Sequence, residues 1–86
     1  MELKDTIGGM TSADYKERFK AEYWQVKIRA GKLSETINKL INNQLDFNPK
    51  CSGDILHDQL KYMLAYEKIL RERAEIEGID LEKKGE

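Results

Sequence analysis

The residues best suited to chemistry lie in one stretch near the N-terminus. Tyr15, Tyr23 and Trp24 are interleaved there with Lys16, Arg18, Lys20, Lys27, Arg29 and Lys32. Aromatic rings offer flat faces on which nucleobases stack, and guanidinium groups grip phosphate through paired N–H donors. From Lys16 to Lys32 six basic residues stand against two acidic ones, Glu17 and Glu22, a local charge of +4. From Glu72 onward three basic residues face six acidic ones, a charge of -3. The basic stretch is the side expected to meet an anion. Two plainer arrangements fit the same residues: a solvated charged helix face, or Tyr15 and Tyr23 in a core with Trp24 anchoring an interface.

Signs of catalysis are sparse. Gly8-Gly9 is followed by Met10, not by the Gly-Lys-Ser/Thr ending of a phosphate-binding loop. Cys51 and His57 are six residues apart, a spacing that puts them on opposite faces of a continuous helix. His57 has Asp54 and Asp58 nearby but no second histidine or cysteine to complete a metal set. Glu72 with Glu75 and Asp54 with Asp58 are spacings that any charged helix contains, and nothing marks a pocket that would raise a carboxyl pKa. The chain is expected to bind rather than catalyse, with no metal and no cofactor.

The elements that carry these residues read as helices. Leu3 to Ile7 suggests a single helical turn, set off by Gly8-Gly9. Thr11 and Ser12 are candidate caps, and Asp14 and Glu17 sit in a first turn where the helix dipole favours negative charge. Tyr15, Phe19, Tyr23, Val26, Leu33, Ile37 and Leu40 then recur at spacings of three, four or seven, with Ala30 in the gap. Gly31, in mid-helix, marks either a close packing contact or a tolerated surface glycine. Asn42-Asn43 weakens this helix and Asn48-Pro49 stops it, because the residue before proline is pushed out of the α region. Leu45 and Phe47 are placed to plug the open end of a hairpin.

Ser52 and Asp54 restart a helix whose stripe is Leu56, Leu60, Met63, Leu70 and Ala74, with Tyr66 beside it and Gly78 as terminator. Beyond it, Ile79 and Leu81 are candidates to fold back. The fold expected is all-α: an antiparallel hairpin of two long helices with a short N-terminal helical segment, in one domain spanning residues 1–86. Its parts are a leader 1–10, a long helix about 12–42, a loop about 43–52, a second helix about 53–77 and a polar tail 80–86.

Size and composition constrain what this hairpin needs. A chain of 86 residues buries only about 60% of its unfolded surface, so staples or self-association commonly supplement the core. One cysteine and one histidine leave self-association. Trp24, Ile28, Ile41, Ile69 and Ile76 fall off the main stripes and widen the apolar surface beyond one hairpin's needs, which points to a homo-oligomer. Charged residues make up 36% of the chain, yet the net charge is only -1, so no general pull toward long nucleic acid or membrane is expected. No run approaches the ~18–20 apolar residues of a membrane span. Met1 to Met10 lacks the apolar centre of a signal peptide, and a cytoplasmic location is expected.

Geometry adds one constraint on any ligand. Tyr15 and Arg29 are fourteen residues apart, which puts them on one helix face but ~21 Å apart along the axis. One chain cannot close both around a small molecule, whereas two antiparallel copies could. A ligand held that way is small, anionic and preferably two-fold symmetric.

The order Asp14-Tyr15, Arg18, Glu22-Tyr23, Val26-Lys27, Arg29 and Lys32-Leu33, continued by Gln59-Leu60, Met63, Tyr66, Leu70 and Arg73, resembles a family of small phage-encoded helical proteins. The resemblance covers roughly residues 14 to 74, and the family includes the anti-CBASS cyclic-oligonucleotide sponges. It implies a phage counter-defence protein, working in the cytoplasm of the infected bacterial host. Such a protein sequesters cyclic di- or trinucleotide messengers without cleaving them, in pockets between protomers of a homo-oligomer, typically a hexamer. It implies a stacking role for Tyr15 and a phosphate-gripping role for Arg29, or for Lys27 or Lys32 if the register is shifted. It further implies a second pocket, for cyclic trinucleotides, whose arginine falls on Arg73, with Arg71 as the nearest rival. The Gly8-Gly9 leader and the Asn48-Pro49 loop depart from the family pattern. A helical interaction or assembly module with no nucleotide ligand is the alternative, and weak single-strand binding along Lys16–Lys32 a third.

Overall fold

The computed structural model describes residues 1–45 and 49–82. Among these the chain is helical, with no strand. A 3-10 turn, Leu3–Thr6, runs directly into a short helix α1, Ile7–Met10; two long helices follow, α2 at Tyr15–Ile41 and α3 at Gly53–Glu77. The long helices pack antiparallel. The Tyr15 hydroxyl at the start of α2 donates to Glu77 at the end of α3, and at the other end Leu40 approaches Gly53. The longest dimension of 42 Å is set by α2, whose 27 residues span ~40 Å at 1.5 Å per residue.

The helix ends explain where the chain turns. Asp14, rather than Thr11 or Ser12, caps α2: its carboxylate accepts from the Lys16 N–H at 2.9 Å, and Ser12 supports it by accepting from the Asp14 N–H. Helix α2 therefore starts three residues later than its sequence signals suggest. At the far end Asn43 takes a left-handed φ of 55°. The N–H groups of Asn43 and Gln44 then reach back to the carbonyls of Leu40 and Lys39, so this asparagine stops the helix. Phe47 and Asn48, expected to plug and to stop this end, lie outside the described residues; Leu45 is half-buried.

Ser52 caps α3 through Ile55 N–H, and Gly78 ends it at φ 70°. From Gly78 the chain doubles back: Ile79 N–H bonds to Ala74 carbonyl at 2.8 Å and Gly78 N–H to that of Glu75. This paired closure delivers Ile79 onto the helix it has just left.

The core consists of Phe19, Tyr23 and Val26 from α2, Leu70 and Ala74 from α3, and the returning Ile79 and Leu81. Trp24 packs against this cluster, and its indole N–H donates to the Leu81 carbonyl at 2.9 Å. Trp24 is therefore satisfied within the chain and does not widen the exposed apolar surface. The gap in the α3 stripe between Met63 and Leu70 is filled by Glu67, which is buried. Toward the open end Ala30 and Ile37 are buried, but Leu33, Leu40, Leu56, Leu60 and Met63 are only half-covered.

The structure assigns the close contact to Gly9 and leaves Gly31 on the surface. Gly8 and Gly9 lie inside α1 rather than between elements. A Cβ on Gly9 would stand 2.9 Å from Ala21 Cβ and 3.3 Å from the Glu17 carbonyl oxygen, so a bare backbone is what lets the leader press on α2. Gly31 has nothing within 4 Å and is a surface glycine of the single chain. Gly31→Ala is expected to raise stability by about 0.5–1 kcal/mol through helix propensity alone. Gly9→Ala is expected to lower it by about 1 kcal/mol or more through overpacking. Urea unfolding of the two variants checks both signs.

Candidate functional site

The long helices do not meet evenly, and along one side they leave a cleft of about 430 Å³. That volume falls in the range of small-molecule sites, about 300–1,000 Å³. Its α2 wall is built at steps of three and four residues, Tyr15, Arg18, Glu22 and Gln25, which one helix face presents together. Tyr66 and Arg73 from α3, seven apart, form the opposite wall; Phe19 lies at the base and Met10 of the leader at one end.

Of the four residues implied by the resemblance, the structure brings Tyr15 and Arg73 together and leaves Arg29 and Lys32 apart from them. Arg73 Nη2 donates to the Tyr15 hydroxyl at 3.2 Å, and its guanidinium lies 4.9 Å over the Phe19 ring. Tyr15 is 45% exposed, so its ring has an open face. Arg71 sits two residues, or about 200° of helix, from Arg73 and turns away from the cleft. Arg29 continues the row Tyr15, Arg18, Glu22, Gln25 by one more turn, and Lys32 follows it. Both are exposed, with no ion pair to any described residue. Lys27 points elsewhere, with its ammonium 4.9 Å over Trp24. Tyr23 is core, at 2% exposure.

Sequence reasoning missed a second tier of the site. Each cleft tyrosine is held by a carboxylate from the opposite helix: Tyr15 donates to Glu77 Oε1 at 2.8 Å, and Tyr66 donates to Glu22. Arg18 Nη1 donates to the Ser12 carbonyl at 2.8 Å, which ties the end of the leader to the wall. Glu77 Oε2 also lies 3.6 Å from Arg73 Nη2. These partners sit in ordinary charged-helix spacings, and only the register of the hairpin makes them neighbours.

The electrostatics at Tyr15 follow from this arrangement. Accepting from the hydroxyl, the Glu77 carboxylate holds the Tyr15 pKa above its ordinary 10.0; desolvation adds to that and Arg73 partly offsets it. Because the native pKa is raised, whatever stability Tyr15 contributes is complete below the unfolded phenol pKa. It is lost as pH rises through the native one. Glu77→Gln is expected to bring Tyr15 ionisation back toward its ordinary value, followed by phenolate absorbance in an alkaline titration. No downward movement in that variant would break the assignment of Glu77 as the cause.

The cleft brings together three aromatic rings (Tyr15, Phe19 and Tyr66), the Arg18 and Arg73 guanidinium groups and the Glu22 carboxylate. Among the described residues no three His, Cys, Asp or Glu side chains gather as a metal site, and no helix is long and apolar enough to cross a membrane. Compared with known families, residues 13–76 match the model described as Sequestin. The chain belongs to the Sequestin family. That name points to sequestration. The Sequestin match runs from Ala13 to Ile76 and so takes in both walls of the cleft, while the leader and the returning Ile79–Leu81 segment lie outside it. No curated protein and no solved structure matches the chain.

Proposed function

We propose that this protein captures cyclic di- or trinucleotide messengers of a bacterial antiphage system and holds them uncleaved, as a phage counter-defence sponge. The observation that carries this reading is the pairing of Tyr15 with Arg73 on the wall of an open cleft, where a base can stack beside a gripped phosphate. Stacking is worth ~1–3 kcal/mol per base, and charge-assisted phosphate contacts add to that. Membership of Sequestin fits a protein that holds its ligand. The resemblance to the anti-CBASS sponges supplies the ligand class.

A second copy of the chain completes the site in this reading. Arg29 and Lys32 extend the wall beyond reach of a small molecule stacked on Tyr15, so they serve a ligand shared with another protomer. The surface available for that partner is on α3. Ile55, Tyr62, Ile69 and Ile76 stand seven residues apart and are all more than half exposed, Ile76 by 84%. A seven-residue apolar repeat is the seam that a second helix of the same kind covers. It runs beside Tyr66 and Arg73, so a copy seated there walls the open side of the cleft.

Calorimetric titration of purified protein against a panel of cyclic di- and trinucleotides tests the proposal. Saturable heat that is lost in a folded Tyr15→Ala variant supports it. No heat from any of them at tens of micromolar sinks it. The same exposed stripe favours the second reading, a helical interaction or assembly module; that reading predicts self- or partner association with a silent nucleotide panel. Steeply salt-dependent binding of linear oligonucleotides would instead favour a single-strand binder.

A further inference from the structure

Glu77 stands where helix physics disfavours it. It is the last residue of α3, where the dipole presents negative charge, and the last turn holds no basic residue to offset it. Its ion pair with Arg73 runs from i to i+4 with the cation first, the weaker of the two orders. Helix stability therefore does not account for this carboxylate. Its partners do: one oxygen accepts from the Tyr15 hydroxyl and the other faces the Arg73 guanidinium. A hydroxyl donor and a guanidinium edge side by side, the guanidinium lying over the Phe19 ring, form the donor set that two oxygens of a phosphodiester would take.

We propose that Glu77 is a built-in competitor for phosphate: it occupies the Tyr15–Arg73 donor set when no ligand is bound and must be displaced by the ligand's phosphodiester. This rests on the reading of the cleft as a phosphate-binding site. Displacement is cheap, because the Glu77 and Arg73 side chains are 37% and 48% exposed and exposed ion pairs are weak. The carboxylate keeps the arginine extended over Phe19 and the Tyr15 ring fixed, at the cost of some affinity. It also selects for ligands whose phosphate carries enough charge and hydrogen-bonding capacity to replace it.

Titration of the wild type, Glu77→Gln and Glu75→Gln with cyclic diadenylate, cyclic triadenylate and inorganic pyrophosphate tests this. Glu75 is an exposed carboxylate about 200° around the same helix, so its variant makes the same charge change away from the donor set. Glu77→Gln is expected to tighten binding of the phosphate probes by about three- to tenfold, and Glu75→Gln by less than about twofold. Weaker binding by Glu77→Gln would overturn the proposal and make Glu77 a residue that positions Tyr15 for the ligand. Equal gains in both variants would also overturn it, as a general charge effect. If pyrophosphate binding tightens while neither cyclic nucleotide binds any of the three proteins, the competitor stands and the nucleotide reading falls. If the wild type binds a cyclic nucleotide and Glu77→Gln binds it equally, the competitor alone falls. Melting curves of both variants confirm that the comparison is between folded proteins.

Discussion

Replacing Leu70 by alanine is expected to destabilise the protein by about 3 kcal/mol, within the range of about 2–5 kcal/mol for buried leucines. Leu70 is 0% exposed and lies in the cluster where α2, α3 and the returning Ile79–Leu81 segment meet. Removing its branched end leaves a cavity within the cluster it shares with Phe19, Tyr23, Val26, Ala74, Ile79 and Leu81, all of them buried. A domain of 86 residues has about 4–13 kcal/mol of stability to lose. The variant should therefore melt roughly 12–24 °C lower, at about 4–8 °C per kcal/mol. The cost is concentrated at this end of the hairpin because the half-covered leucines at the open end contribute less. Urea and thermal unfolding by circular dichroism measure it, and a loss below about 1 kcal/mol would mean that the core is not where this packing puts it.

Arg73→Ala should weaken capture of a cyclic nucleotide by about 10- to 100-fold, since a hydrogen bond to a charged group is worth about 1.5–3 kcal/mol and each 1.4 kcal/mol is tenfold. Arg71→Ala serves as the matched comparison. It removes the same charge from the neighbouring turn on a side facing away from Tyr15, and it should change affinity by only about twofold. Lysine at position 73 should restore part of the loss, because it returns the charge but not the planar fork. The alanine variant is expected to stay folded: the contacts it gives up, to Phe19, to the Tyr15 hydroxyl and to Glu77, are made by a half-exposed side chain and are individually worth about 1 kcal/mol or less. Equal losses from the two arginines would show that only the general positive field matters.

Much of the fold was legible because helical periodicity depends on nearest neighbours in sequence. Phe19, Tyr23 and Val26 on one side and Leu70 and Ala74 on the other fall on stripes visible without coordinates. The environment of Trp24 was not legible. It depends on Gly78 turning the chain and on Leu81 arriving with its carbonyl aimed at the indole, a contact between residues 57 apart. Glu67 was hidden for a related reason, since a glutamate in a stripe gap reads as solvated until a partner helix covers it. The close approach at Gly9 was not legible either, because the meeting of two elements leaves no trace in the local sequence of either.

The site divides along the same line. Tyr15 and Arg73 stand out by residue type and by resemblance, but their contact depends on the register of α2 against α3. A one-residue change of that register rotates the facing side chains by about 100°. The same register puts Glu22 beside Tyr66 and Glu77 beside Tyr15, and neither carboxylate announces itself in a chain where more than a third of residues are charged. Arg29 and Lys32 lie on the predicted face, one and two turns beyond the cleft, where a second protomer would have to meet them.

Capture without conversion is open to a release experiment. Purified protein is loaded with a cyclic dinucleotide or trinucleotide, freed of excess ligand by gel filtration, denatured by heat, and the released small molecule is resolved by chromatography. Ligand is expected to travel with the folded protein and to be recovered intact and still cyclic after denaturation. Recovery of linear product, or a protein peak that carries no ligand at all, would contradict it.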